Sequence, residues 1–203
     1  HIARLRERKD IPRMPVYLNS PMAINATRHY HAHHSEHHVS EEDCQRMFDV
    51  ATFVNTVEES KALNRQRGPM IIISASGMAT GGRVLHHIEA FGPDDRNAIL
   101  LSGYQAGGTR GAALAAGTRT LRMFGREVPI RAEVVQLEGF SGHADAGELL
   151  DWMRTAPSAP RVVYLTHGEP DAADTLRERV QRELGWRVRV PEHLERVGLE
   201  HAQ

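Results

Sequence analysis

The chain has 203 residues, 40% hydrophobic and 25% charged, with a formal net charge of −1. This is enough apolar content for a folded core, and it excludes a disordered chain or a uniformly basic one. No apolar run reaches the ~20 residues that cross a bilayer and no signal-peptide pattern is present, while the one cysteine, Cys44, excludes an internal disulfide framework and suits a reducing cytosol; the expectation is a cytoplasmic protein with no membrane partner.

The opening HIARLRERKD lacks a Met and reads as the end of an amphipathic helix, as if a longer polypeptide were entered midway. PVYLNS (15–20) is a short apolar strand, and Ser20-Pro21 can cap and start the helix MAINATRHY. Ser40 with Asp43 loosely resembles a capping box, and Met47, Val50, Ala51, Val54 and Val57 predict one long helix ending near Leu63. PMIIISAS (69–76) and NAILLSG (97–103) read as strands buried on both faces, with the helix GGRVLHHIEAF between them.

TLRMFGREVPIRAEVVQL (120–137) reads as a pair of antiparallel strands around Gly125. A helix from about Asp145 to Met153, the strand RVVYLTH (161–167) and a helix from about Pro170 to Leu184 follow. RVRVP and LERVGLE look like short edge strands. Strand–helix alternation predicts α/β layers, with a domain change near residues 125–130.

The neutral net charge hides an asymmetry. Arg65, Arg67, Arg83, Arg96, Arg110, Arg119, Arg122, Arg126 and Arg131 face only Glu89, Asp94, Asp95 and Glu127 in the same stretch. An arginine excess interleaved with glycines can hold phosphates, although it is equally the composition of a solvated face.

In open α/β sheets ligands bind beyond the carboxyl ends of strands. Four strands here are followed by ASGMATGG, GYQAGGTRG, FSGHAD and THGEP. The first two offer backbone N–H groups that can cradle a phosphate, but ordinary turns have the same composition, and neither loop is a Walker or dinucleotide motif. His143 and His167 each stand alone at a strand end, where an imidazole can ligate a metal, carry a proton, or merely satisfy the loop. Asp145 and Glu169 are placed to cap the helices that follow.

In order, NSPMA, SASGMATGG, GYQAGGTRG, FSGHAD and THGE resemble the β-CASP branch of the metallo-β-lactamase superfamily, a group of RNA-processing nucleases. The likeness runs from about Pro15 to Leu199. It implies an α/β chain in two parts: a βα-layered β-CASP domain, lacking its N-terminus, over 1–126, then the returning C-terminal part of a metallo-β-lactamase αββα sandwich over 127–203. It implies that His143 assists at the scissile phosphate and that His167 is a zinc ligand. Ser76, Gly77 and Met78 of one loop would line the RNA channel. So would Gly103, Tyr104, Gln105, Gly108, Thr109 and Arg110 of the next, and Ser141.

The family's His-x-His-x-Asp-His signature has no counterpart here. The resemblance implies two zinc ions per complete site, activating water for attack on single-stranded RNA, endonucleolytically or from the 5′ end. One histidine ligand cannot hold a zinc pair, so the chain alone is expected to be inactive. A homodimer is a family expectation. The alternatives are a non-catalytic nucleic-acid-binding module and a plain phosphosugar- or nucleotide-binding α/β domain.

RHYHAHHSEHHV (28–39) carries six of the 13 histidines. On a continuing helix His29/His33, His33/His37 and His34/His38 would share a face and could catch a stray transition metal. A solvated helix end is the expected reading.

Overall fold

The computed structural model describes residues 1–137, 139–140 and 142–198. It is a mixed α/β structure in two compact units, residues 1–141 and 142–203.

The first unit opens with α1 (Ile2–Glu7), β1 (Val16–Asn19) and α2 (Pro21–Ala32). Ser20 starts α2 as expected, with its Oγ accepting from Ala23 N at 3.3 Å and Pro21 in the first turn. The single long helix expected over 40–63 is instead α3 (Glu41–Asp49), the two-residue strand β2 (Thr52–Phe53) and α4 (Val57–Leu63). Two forces break it. Thr52 and Phe53, β-branched and aromatic, pair in parallel with Tyr17 and Leu18 of β1. Thr56 and Glu59 then form a complete capping box that begins a new helix. Of the residues that suggested one continuous apolar face, Val57 is 53% exposed.

β3 (Ile71–Ser74) completes a parallel sheet in the order β2-β1-β3, over a core that includes Val16, Leu18, Ile24, Cys44, Val54 and Leu63. After α5 (Arg83–Phe91) comes β4 (Ala98–Leu101), then α6 (Arg110–Ala115) and the antiparallel hairpin β5 (Thr120–Met123) and β6 (Arg126–Pro129). β7 (Glu133–Gln136) leaves that hairpin and pairs in parallel with β4. The apolar strands β3 and β4 are not buried on both faces as expected: among the described residues β3 is a sheet edge and β4 pairs only with β7, and Ile73 and Leu100 are 40% and 58% exposed. Leu85, Ile88, Leu101, Leu114, Leu121, Met123, Val128 and Ile130 form a second core in this unit, which seats α5, α6 and the hairpin together.

The second unit runs α7 (Ala146–Arg154), β8 (Val163–Tyr164), α8 (Pro170–Leu184) and β9 (Val188–Arg189), with β8 and β9 parallel. Leu150, Met153, Val180 and Val188 are its core. RVRVP supplies β9, but LERVGLE forms no strand among its described residues, 194–198. Pro191 lacks an N–H for a ladder, and the chain turns at Leu194, whose φ is +65°.

Candidate nucleic-acid interface

The loops after β3 and β4 close on each other. In the first, Ser76 Oγ accepts from Thr80 N at 3.1 Å and shares a hydrogen bond with Thr80 Oγ1 at 2.9 Å. The loop ends at Gly82, φ +78°, where a Cβ would stand 2.8 Å from the Ala75 carbonyl oxygen. In the second, Gln105 Nε2 donates to Gly103 O at 3.1 Å and reaches across to Gly77 O at 3.3 Å. Gly111 N donates to Met78 O at 2.9 Å. Gly111 makes room for this approach: a Cβ would lie 1.7 Å from Gln105 Oε1 and 3.0 Å from Met78 Cα, so a larger residue would displace the Gln105 side chain. Thr109 caps α6, its Oγ1 accepting from Ala112 N at 3.1 Å and donating to Ala106 O at 2.7 Å.

Arg110 ties this pair of loops to the hairpin. Its Nε donates to Arg122 O at 3.0 Å, and Nη1 reaches Thr80 O and Ala79 O at 3.4 and 3.5 Å. Thr80, Gly108, Thr109, Arg110, Ala113 and Arg122 line an open concavity of about 440 Å³. Neither Arg110 nor Arg122 pairs with a carboxylate among the described residues. Two cations and two hydroxyls around one hollow suit an anion.

Three more of these arginines, Arg83, Arg96 and Arg126, hold structural contacts instead. Arg96 grips Asp94, whose carboxyl it holds down at about 2. Arg126 Nε donates to Glu89 Oε1 at 2.8 Å. Arg83, the first charge after SGMATGG, points instead into the sheet end, donating to Asn19 Oδ1 at 2.6 Å and to Val54 O and Asn55 O at 2.9 and 2.6 Å.

That contact belongs to a buried network beneath the loops. Asn19, fully buried, donates from Nδ2 to Ser60 Oγ and to His87 Nε2, both at 2.8 Å. His87 must therefore carry its proton on Nδ1, donating to Asn64 Oδ1 at 2.5 Å. Burial, then the neighbouring His86 and Arg83 charges, push His87 down to about 4, so it is neutral near pH 7. Ser74 Oγ donates to Asn19 O at 3.0 Å, which fixes the strand end from which the first loop departs. Asn19 and His87 were not candidates in the sequence. A lone Asn ending a strand and a His within a helix give no local signal, because their meeting depends on how α5 packs.

In the second unit His143 lies two residues ahead of Asp145, the N-cap of α7, and His167 three residues ahead of α8, with φ +66°. Both histidines are exposed. Arg154 and Glu183, near the C-terminal ends of α7 and α8, pair at 3.2 Å. The C-terminal parts of α7 and α8 thus meet, and each histidine precedes the start of one of these two packed helices. Asp145 caps as expected, Oδ1 accepting from Gly147 N and Glu148 N at 2.7 and 2.9 Å, with Glu148 completing a capping box. Glu169 occupies the N-cap position of α8 but its side chain makes no cap bond. Ser141 lies outside the described residues.

The histidine-rich stretch leaves its α-helix at Ala32 and makes one 3-10 turn over His34–Glu36, so the i, i+4 pairs through His37 and His38 do not form. His37 stacks on Tyr30 at 3.7 Å, His33 pairs with Glu36 at 2.8 Å, and His31 bonds Gln45 at 2.8 Å.

A family model for the Beta-Casp domain matches residues 1–114, and one for a Zn-dependent metallo-hydrolase RNA specificity domain matches residues 127–191. The chain belongs to the β-CASP family of metallo-β-lactamase-fold RNA nucleases. Among β-CASP relatives, it is 42% identical to "Ribonuclease TTHA0252" of Thermus thermophilus over 79% of this chain and 38% of that protein. It is 36% identical to "Transcription termination factor FttA" of Pyrococcus abyssi, over 64% of this chain and 21% of that protein. An "RNase J-like protein" of Methanocaldococcus jannaschii is 36% identical over 57% of this chain and 26% of that protein. The chain thus spans less than two fifths of the length of each. The second family match carries zinc in its name, yet among the described residues no three His, Cys, Asp or Glu side chains meet in a group that could hold a metal. The donors present do not make a zinc site by themselves.

Proposed function

We propose that this chain is the RNA-facing part of a zinc-dependent ribonuclease that hydrolyses single-stranded RNA. The observation that carries the reading is the interlocked pair of loops, 75–82 and 102–109, with Arg110 and Arg122 around a hollow of about 440 Å³. Backbone amides, hydroxyls and arginines there hold phosphates without reading bases, which suits a nuclease of broad sequence tolerance. The β-CASP part extends to residue 126 and the metallo-β-lactamase part starts at 127, where the second family match begins. Packing draws the line later, since β7 joins β4 in the first unit.

In this reading His143 serves the scissile phosphate as a proton carrier, a role open to an exposed imidazole near neutral pH. His167 gives one nitrogen to zinc, and the other donors lie outside these residues. A cytoplasmic homodimer completes the proposal on family grounds.

The intact protein tests it. His143→Ala should lower cleavage of labelled single-stranded RNA by about 10²-fold or more with zinc content unchanged by elemental analysis. His167→Ala should lose both. Loss of zinc in His143→Ala would overturn its role, and an intact protein that binds RNA without cleaving it would make the chain part of a binding module.

A further inference from the structure

The turn between β5 and β6 is Phe124-Gly125, with φ +51° and +78°. Positive φ at both residues is the type I′ pattern, which suits strand twist and favours Asn-Gly. A bulky aromatic is disfavoured at the first position. Core packing does not explain it either, because Phe124 is 51% exposed.

The ring instead lies flat on His86 of α5, centroids 4.6 Å apart and planes 14° apart. One turn further along α5, Glu89 holds Arg126 of β6, so the hairpin is fastened to the helix on which the stack rests. The two exposed rings form a shelf. Arg122 stands two residues before Phe124, on the exposed side of β5, while Leu121 and Met123 on the other side are 4% and 1% exposed. Arg122 also lines the hollow it shares with Arg110. An aromatic face two residues along the hairpin from an arginine that lines a cationic groove offers the two contacts, stacking and phosphate pairing, that hold single-stranded nucleic acid.

We propose that Phe124, backed by His86, is a stacking platform for a nucleobase of RNA whose backbone passes Arg110 and Arg122. This rests on the RNA reading above and adds to it a base contact that none of the family motifs contains. The base lies on the face of the ring turned away from His86. Stacking is tolerant of base identity, so the platform adds affinity and sets strand position without sequence preference.

The test is fluorescence anisotropy of labelled single-stranded RNA on the intact protein, with a 2-aminopurine oligonucleotide to report stacking. Phe124→Ala should weaken binding about tenfold and relieve the 2-aminopurine quench, and Phe124→Trp should stay within about twofold of wild type. Phe124→Asn separates the ring from the turn. Asn suits the positive φ, so the melting temperature should hold or rise while RNA affinity falls as in the Ala variant. Wild-type affinity and quench in Phe124→Asn, with Arg122→Gln still weakened, would overturn the platform and leave the RNA reading standing. A sedimentation change in Phe124→Asn with RNA affinity intact would also overturn it, by making the shelf a protein contact. Absence of RNA binding by the wild type would overturn both.

Discussion

His87 shows how one side chain can hold a site it never touches. Its Nε2 accepts from Asn19 and its Nδ1–H donates to Asn64, so both ring nitrogens are satisfied only in the neutral form. Burial is the main reason that its pKa falls from 6.5 to about 4. The sign follows directly. Between those two values the unfolded chain binds a proton that the folded chain refuses, so stability is full above 6.5 and declines as pH falls toward 4, with a slope of at most about 1.4 kcal/mol per pH unit from this group. Denaturant melts at pH 7, 6 and 5 should show that decline, and His87→Gln should flatten it while lowering stability at pH 7. An unchanged slope in His87→Gln would assign the acid sensitivity to other groups. Single residues were unevenly legible in the sequence. The glycines and Thr109 of GYQAGGTRG declare a turn and a helix start locally. Arg122 was visible only as one member of an arginine excess, and Phe124 gave no signal, because the roles of both depend on the hairpin lying against α5.

Elements that depend on local chemistry were the readable ones. Ser20, Ser40 and Asp145 each begin a helix where the sequence places it, since a cap is a contact across three residues. The stretch 50–57 misleads for the opposite reason. Its apolar spacing fits a helix, but pairing with β1, more than 30 residues away, pulls Thr52 and Phe53 into a strand. Asp145 gives the sharpest test at this scale, because it lies two residues from His143 and is both a cap and an acid. Asp145→Ala should cost about 1 kcal/mol of stability and Asp145→Asn almost nothing, because Asn caps as well as Asp. If Asp145→Asn melts as wild type yet lowers RNA cleavage by the intact protein, the carboxylate has a chemical role beyond capping α7.

At the scale of the whole chain, the order of five short motifs was legible where their geometry was not. The loops after β3 and β4 were each ambiguous alone, and their interlocking through Gln105, Gly77, Gly111 and Met78 is a product of tertiary packing. The densest histidine cluster turned out to be a helix end whose imidazoles stack and bond to near neighbours, while His143 and His167 stand exposed ahead of α7 and α8. The net charge of −1 likewise says little about partners, because Arg110 and Arg122, neither paired with a carboxylate among the described residues, stand together beside one hollow.

Binding of the RNA backbone by this hollow is measurable as the salt dependence of single-stranded RNA affinity in wild type and Arg122→Gln. Affinity should fall linearly on a log–log plot and the variant should be weaker on every RNA sequence, with a slope shallower by about 0.7, the loss of one phosphate contact. An identical slope and affinity in Arg122→Gln would contradict backbone binding there.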